Sequence, residues 1–330
     1  MKSRSMLFLG VATLSMLGCA GMQEAPKYPT QPVTVVIPYP PGNAADLVGR
    51  AMAEKLAQAW AQPVNVVNRP GPTTVPGADS VAKAKADGYT LLVHSISFAT
   101  DAGLFTQLPY DAQKDFVAVS GVAKQPFVLV TTPTLGVTKV GELLAKAKAA
   151  PLKYASLGPT TQITFVTEQF KKLTGMAATN APYRSAADAN GAVAKGEAAF
   201  WFAPVATAVP LIRDAKVTAL AVTGDARSAA LPQVPTMAEA GVPNLVNHAW
   251  FGVWAPAGVP KGVVEKIAAD VDRALQAPDL LDKLGKLGAA PMRLAPAPFA
   301  AFVRNETDAS RRLVGDLGIK PQVYTPPAKP

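Results

Sequence analysis

In Val33-Thr34-Val35-Val36-Ile37-Pro38-Tyr39-Pro40-Pro41-Gly42-Asn43-Ala44-Ala45-Asp46 a β-branched run meets two prolines and a glycine, and an amphipathic pattern follows. Val33 to Tyr39 is expected to be a buried strand, which Pro40-Pro41-Gly42 stops. From Asp46 onward Val48, Met52, Leu56 and Ala59 recur at helical spacing, with Arg50, Glu54 and Gln58 off that stripe. A glycine turn feeding a helix leaves backbone N–H groups without intrahelical partners, and with the helix dipole these favour an anion. The construction recurs. Leu152 to Ser156 predicts a strand, Leu157-Gly158-Pro159-Thr160-Thr161 a polar turn, and Gln162 to Leu173 a helix. A third hydroxyl-rich loop, Ser95 to Thr100, follows a strand at Thr90 to His94. One such corner is ordinary geometry. Two in one chain point to a small ligand with two acidic ends, or one acid gripped from both sides.

The N-terminus predicts export. Lys2 and Arg4 form a basic start, and Met6 to Leu17 is an apolar stretch too short to span a bilayer. It ends in Leu14-Ser15-Met16-Leu17-Gly18-Cys19, similar to a bacterial lipobox, so Cys19 is expected to be lipidated and to become the first mature residue. Cleavage by ordinary signal peptidase near Gly18-Cys19-Ala20 is the alternative. Cys19 is the only cysteine, so no intramolecular disulfide forms and the fold depends on its core. About 300 mature residues fit two domains. With 49% hydrophobic and 17% charged residues, a compact globule is expected rather than a disordered chain. The net charge of +9 is spread along the chain, without a basic run interleaved with aromatics. That excludes a nucleic-acid stripe and leaves a mild field favouring anionic solutes, or simply a solvated basic surface.

Short strands and helices alternate from Val33. Further strands are expected at Val64 to Val67, Phe127 to Thr131, Ala198 to Phe202, Val217 to Val222, Trp250 to Ala255 and Ala290 to Arg293. Helices are expected at Gly77 to Ala86, Val140 to Ala149, Ala186 to Lys195, Ala206 to Arg213, Lys261 to Leu275, Pro278 to Leu287 and Pro298 to Leu313. This alternation predicts an α/β protein with mainly parallel sheets, with ligands outside the carboxyl ends of strands.

Catalytic constellations are scarce. Two histidines, His94 and His248, and one cysteine give no metal cluster of plausible spacing, and neither phosphate-loop nor dinucleotide-binding glycine patterns occur. Ser156, Asp225 and His248 stand in hydrolase order, but Tyr154 occupies the place where a nucleophile elbow needs glycine. A serine hydrolase is therefore a remote alternative, and His248 is expected at a surface or hinge.

Other stretches carry a resemblance. Tyr28-Pro29, Val33 to Gly42, Asn68-Arg69-Pro70-Gly71 and Asp87-Gly88-Tyr89-Thr90-Leu91-Leu92 resemble the Bug family, extracytoplasmic solute-binding components of tripartite tricarboxylate transporters. Leu108-Pro109-Tyr110-Asp111, Lys114-Asp115-Phe116, Tyr154-Ala155-Ser156, Pro182-Tyr183-Arg184, Ala219 to Thr223, Leu231 to Thr236, Glu239-Ala240-Gly241, Trp250-Phe251-Gly252 and Ala255 to Gly258 continue it in order.

The resemblance implies a two-lobed periplasmic-binding-protein fold, type II-like, with the ligand cleft between the lobes. Expected boundaries are a lipoprotein signal peptide at 1–18, a tether at 19–29, lobe 1 at 30–126 with 250–320, lobe 2 at 127–249, and a flexible tail at 321–330. The implied function is capture of a small organic carboxylate, a dicarboxylate or an aromatic acid, and its delivery to transporter membrane subunits. It further implies a monomer, lipid-anchored in the periplasm of a Gram-negative bacterium, without cofactor, metal or enzymatic activity. A sensor of the same fold is the alternative. Expected ligand contacts are Tyr39, Pro41, Gly42, Asn43, Ala44 and Asp46 in the first turn, and Ser95 and Ser97 in the hydroxyl loop. Ser156, Gly158, Thr160, Thr161 and Gln162 are expected in the second turn, with Tyr183, Trp201 and Ala203 beyond. Relatives usually carry a second glycine where Asn43 stands, Ser-Gly-Asn-Gly-like residues in the second turn, and acids near Ala199 and Ala203. With the acids replaced and Phe200-Trp201-Phe202 between those alanines, an amine-free acid is expected. One or two of these aromatics should face the cleft; if all three are core, an aliphatic dicarboxylate is favoured.

Overall fold

A computed structural model describes residues 28–71, 73–158, 161–316 and 318–326. The elements in chain order are β1 (Val33–Ile37), α1 (Ala44–Trp60), β2 (Val64–Asn68), α2 (Val75–Ala82), β3 (Thr90–Ser95), α3 (Ser97–Leu104) and β4 (Phe116–Thr131). After a short 3-10 turn come α4 (Val140–Ala149), β5 (Leu152–Ser156), α5 (Gln162–Thr174), β6 (Ala178–Pro182), α6 (Ala186–Lys195), β7 (Phe200–Pro204), α7 (Val205–Arg213) and β8 (Thr218–Val222). The chain closes with β9 (His248–Pro256), α8 (Lys261–Ala274), α9 (Pro278–Lys286), β10 (Ala290–Leu294) and α10 (Pro296–Asp316).

One sheet runs β2-β1-β3-β9-β4-β10 and a second β8-β4-β7-β5-β6. Strand β4 belongs to both. Its first part, Phe116 to Pro126, pairs with β9, whereas Phe127 to Thr131 pairs with β7 and β8. Pro126, lacking an N–H, stands where the strand changes sheets, directly opposite His248, where the chain returns. Thr223 ties the two crossings together: its Oγ1 accepts from Phe127 N–H (2.9 Å) and donates to Asn247 O (2.6 Å). Lys124 and His248, one on each crossing strand, both contact the Asp225 carboxylate at 3.1 and 3.2 Å.

The cores follow the sheets. One apolar cluster draws all its buried members from the span Phe127 to Leu245, including Leu129, Phe170, Phe200, Trp201 and Phe202. Two others draw on the flanking sequence: Val35, Met52, Val93 and Ile267 on one face of the first sheet, and Val36, Phe98, Trp254 and Phe299 on the other. The β1–α1 unit follows its sequence pattern except at Ala59, which is exposed while its neighbour Trp60 is buried. Val48, Met52 and Leu56 are buried, and Trp60 at the helix end donates its indole N–H to Asp270 of α8 at 2.6 Å.

Several expectations need correction. The sheets are mixed rather than mainly parallel: β1 with β2 and β3, and β5 with β6 and β7, are parallel, but every pairing of β4 and β9 is antiparallel. Ser95 to Thr100 is not a loop. Nothing in it breaks a helix, and α3 begins at Ser97. Strand β6 is absent from the sequence pattern because Ala178 to Pro182 is a largely exposed edge strand paired with β5. The tail is docked through Tyr324: Gln322 N–H donates to Leu104 O, and the Tyr324 ring meets Phe105 edge-on at 5.9 Å. Residues 327–330 lie outside the described residues.

Candidate functional site: the interlobe cleft

The two turns foreseen in the sequence face one cavity of about 310 Å³, lined by residues from both cores. In the first turn Gly42 adopts φ +82°, a left-handed conformation that glycine tolerates without steric cost. Much of this turn is satisfied internally. Gly42 N–H donates to Asp46 Oδ2 (2.9 Å), Ala45 N–H to Asn43 Oδ1 (3.0 Å), and Asn43 N–H to Pro40 O (3.2 Å). Ala44 N–H has no protein partner among the described residues and lies at the cavity wall. Beside it Tyr39 Oη meets Ser95 Oγ at 2.5 Å, with Ser97 adjacent. Burial raises the Tyr39 hydroxyl well above its ordinary range, so it stays a neutral hydrogen-bonding group.

In the second turn Thr161 caps α5, its Oγ1 accepting from Thr164 N–H and donating to Gly158 O (3.1 Å). The first turn of α5 contains no acidic residue. Gln162 N–H and Ile163 N–H are without protein partners among the described residues, and both residues line the cavity. The Gln162 amide reaches across to Asn247 Oδ1 at 2.8 Å, beside the second crossing.

Of the expected contacts, Tyr39, Gly42, Asn43, Ala44, Ser95, Ser97, Thr161 and Gln162 stand together on the cavity wall. Thr160 and Cys19 lie outside the described residues. Pro41 is exposed at the tip of its turn and does not line the cavity. Asp46 does not face it either. Its carboxylate, 1% exposed, accepts from Gly42 N–H, Arg50 Nε (2.9 Å) and Asn68 Nδ2 (2.7 Å), bracing the turn against β2. Burial opposes ionisation there, but those bonds together hold the carboxyl below its ordinary range. Ser156 is fully buried under its turn, donating to Asn180 Oδ1 (2.6 Å) and accepting from Gly158 N–H (3.2 Å). Gly158, at φ +115°, shapes the turn, and its carbonyl takes the hydroxyls of Thr161 and Thr164. Tyr183 is half-buried against the second-sheet core, its N–H on Ser156 O.

Trp201 and Ala203 are wholly inside that core, as are Phe200 and Phe202. The alternation of a strand does not bring one of these aromatics to a surface here, because β7 lies between β4 and β5 and packs against α5, α6 and α7. The Trp201 indole is satisfied by Asn190 Oδ1 at 3.2 Å. The hydrolase order dissolves as well: Asp225 and His248 do meet, but Ser156 is committed to Asn180.

The sequence did not single out most of the apolar wall: Leu47 and Val48 of α1, Phe127 just past the first crossing, Ile163, Phe251 and Leu287. One signal was available for Leu47. It sits off the buried stripe of α1 yet is a large apolar residue beside the glycine turn, and 37% of it remains exposed. Phe127 and Phe251 could be placed only once the sheet crossing was known. Among the described residues no Asp, Glu, Lys, Arg or His side chain lines the cavity. The neighbouring acids are turned away: Asp46 as above, and Asp101, a buried residue of α3, accepts from the Thr74 hydroxyl. A larger open groove of about 870 Å³ beside α4 and β8 contains no residue of either turn, and its acids Glu142 and Glu239 are already bonded to Thr138 and Arg227.

Two sheets joined by crossing strands, with a cleft walled by glycine turns, have the architecture of a two-lobed solute-binding protein. The sequence profile of the tripartite tricarboxylate transporter family receptor matches residues 48–319, and the chain belongs to that family. Protein BugT of Bordetella pertussis (strain Tohama I) is 33% identical over 311 residues, covering 93% of this chain and 95% of its own. Among solved structures, Rpa4515 of R. palustris with adipate superposes with a TM-score of 0.81 at 31% identity, covering 89% of this chain and 100% of that one. MatC of Rhodopseudomonas palustris with bound malate gives 0.75 at 29%, covering 87% and 100%. Among the described residues no helix is long and apolar enough to cross a membrane.

Proposed function

We propose that this protein captures a small organic carboxylate with an apolar body between its lobes and presents it to the membrane subunits of a tripartite tricarboxylate transporter. It acts by binding alone, without chemistry on its ligand. Lobe 1 comprises residues 30–126 with 250–320 and lobe 2 residues 127–249, hinged where β4 and β9 cross. The observation that carries this reading is the wall of the cleft: uncharged, apolar along its length, with backbone and hydroxyl donors concentrated at the two turns. Such donors hold a carboxylate without a counter-charge, as anion sites at helix N-termini do. An ammonium group would find no carboxylate to pair with among the described residues of the wall, and an unpaired buried cation is costly. Complexes of relatives with adipate and malate support the acid. The apolar wall favours an unsubstituted body such as that of adipate over a hydroxylated one. We further propose that Cys19 is acylated and anchors the protein on the periplasmic side of a membrane.

A thermal-shift panel of adipate, hexanoate, benzoate, malate and glutamate tests this. A ligand at ~100 times its dissociation constant stabilises by about 2.7 kcal/mol. Adipate, hexanoate or benzoate should raise the melting temperature, and malate and glutamate should be at least tenfold weaker. Tight glutamate binding, or no response to any carboxylate, would contradict the reading.

A further inference from the structure

Helix α5 has two apolar faces that belong to different cores. Ile163, Val166 and Phe170 pack inside the second-sheet core, as expected for a helix of that lobe. Phe165 does not. Its ring is 1% exposed, yet it is buried by Leu104 of α3 and Val314 of α10, both from the flanking sequence. The same outward stripe continues to Lys172, whose ammonium reaches Asp316 of α10 at 3.5 Å with both side chains largely exposed. Between these contacts lies a cavity of about 390 Å³, walled by Gln169 on one side and Glu306 and Arg312 on the other. One enclosed aromatic, one solvated ion pair and a polar void make a contact that can separate, unlike a continuous core. The helix bearing Phe165 also carries Gln162 and Ile163 to the cleft wall.

We propose that Phe165 is a positioning residue for ligand capture, a latch that holds the two lobes together before any ligand arrives. The proposal rests on the two-lobe division above. Seating the ring between α3 and α10 fixes the N-terminus of α5 opposite the first turn, so the donors from both lobes are prearranged. A state already populated costs the ligand nothing to select, so a latch raises apparent affinity by the closed fraction it maintains. Because Phe165, Leu104 and Val314 form a small cluster of their own, apart from the main core of each lobe, the latch releases for ligand entry without disturbing either core.

Small-angle scattering on ligand-free protein reads this directly and needs no knowledge of the ligand, so its failure and that of the proposed function are distinguishable. The wild-type profile should match the closed structure. Phe165→Ala should increase the radius of gyration, and Phe165→Leu, which still fills the pocket, should largely restore compactness. Val314→Ala approaches the same contact from the other lobe and should open the particle too; it serves where Phe165→Ala fails to fold by circular dichroism. A purely structural role would lower the melting temperature and leave the size of the folded particle unchanged. That result, or a wild-type profile already more extended than the structure, would overturn the latch.

Discussion

Asp101 and His94 sit behind the cleft as buried titratable groups of opposite sense. Burial lifts the Asp101 carboxyl to about 7, with the Thr74 hydroxyl partly opposing, and burial pushes His94 down to about 3, against its bond to Ser95. An acid whose folded value is raised contributes stability below its unfolded value, near 4, and loses it as pH rises toward 7. A base whose folded value is depressed contributes stability above about 6.5 and loses it as pH falls toward 3. Between roughly pH 4 and 6.5 the two slopes oppose each other, each near 1.4 kcal/mol per pH unit. Asp101→Asn should therefore gain stability relative to wild type as pH rises from 4 to 7, by a few kcal/mol in all. Melting temperatures of both proteins across that range check it; a constant difference would refute a buried neutral Asp101. In the first turn, Gly42→Val puts a branched side chain at φ +82° with open space around it. The expected result is a modest loss of stability, on the order of 1–2 kcal/mol, and at least tenfold weaker binding of whichever panel acid binds wild type. Calorimetry showing normal affinity would remove the turn from the site.

At the scale of elements, the chain was most legible where a face and its punctuation agree. Helices α4 and α6 and strand β5 run over the same residues that periodicity indicates, because glycine, proline or a capping serine stands at their ends. Legibility failed where long-range pairing decides. The first half of β4 contains Gly121, Lys124, Gln125 and Pro126, a poor strand by composition, and it is held by β9 and β10 rather than by propensity. The cleft was legible at its turns, which are local, and illegible in its wall, where Phe127, Phe251 and Leu287 meet only after folding. Phe200-Trp201-Phe202 misled for the same reason: nothing local tells which strand becomes central. Close packing on β9 gives a further prediction. A Cβ on Gly252 would stand 2.1 Å from the Phe299 ring, which is fully buried. Gly252→Ala should destabilise by about 1–3 kcal/mol or more, and combining it with Phe299→Leu should recover part of the loss. Urea denaturation of the two single variants and the pair would show that coupling, and simple additivity would deny it.

For the whole molecule, anchoring has its own test. Cys19→Ser should move the protein from the membrane fraction to the soluble periplasm, and unchanged membrane association would contradict acylation. The sharing of β4 by both sheets also has a consequence for how the chain acquires its structure. Strand β9 is wedged between β3 and β4, with Leu92 facing Trp254, so the first sheet stays incomplete until the chain has returned from its excursion through the second. The second sheet is assembled from one uninterrupted stretch, and shorter loops close faster than long ones. An exported chain emerges from the N-terminus, so residues 127–249 can settle while the strands before them still wait for a partner. Pulsed hydrogen exchange during refolding should then find amides of β5, β7 and α6 protected before those of β1 and β3. The part of the protein made first would be the last to become native.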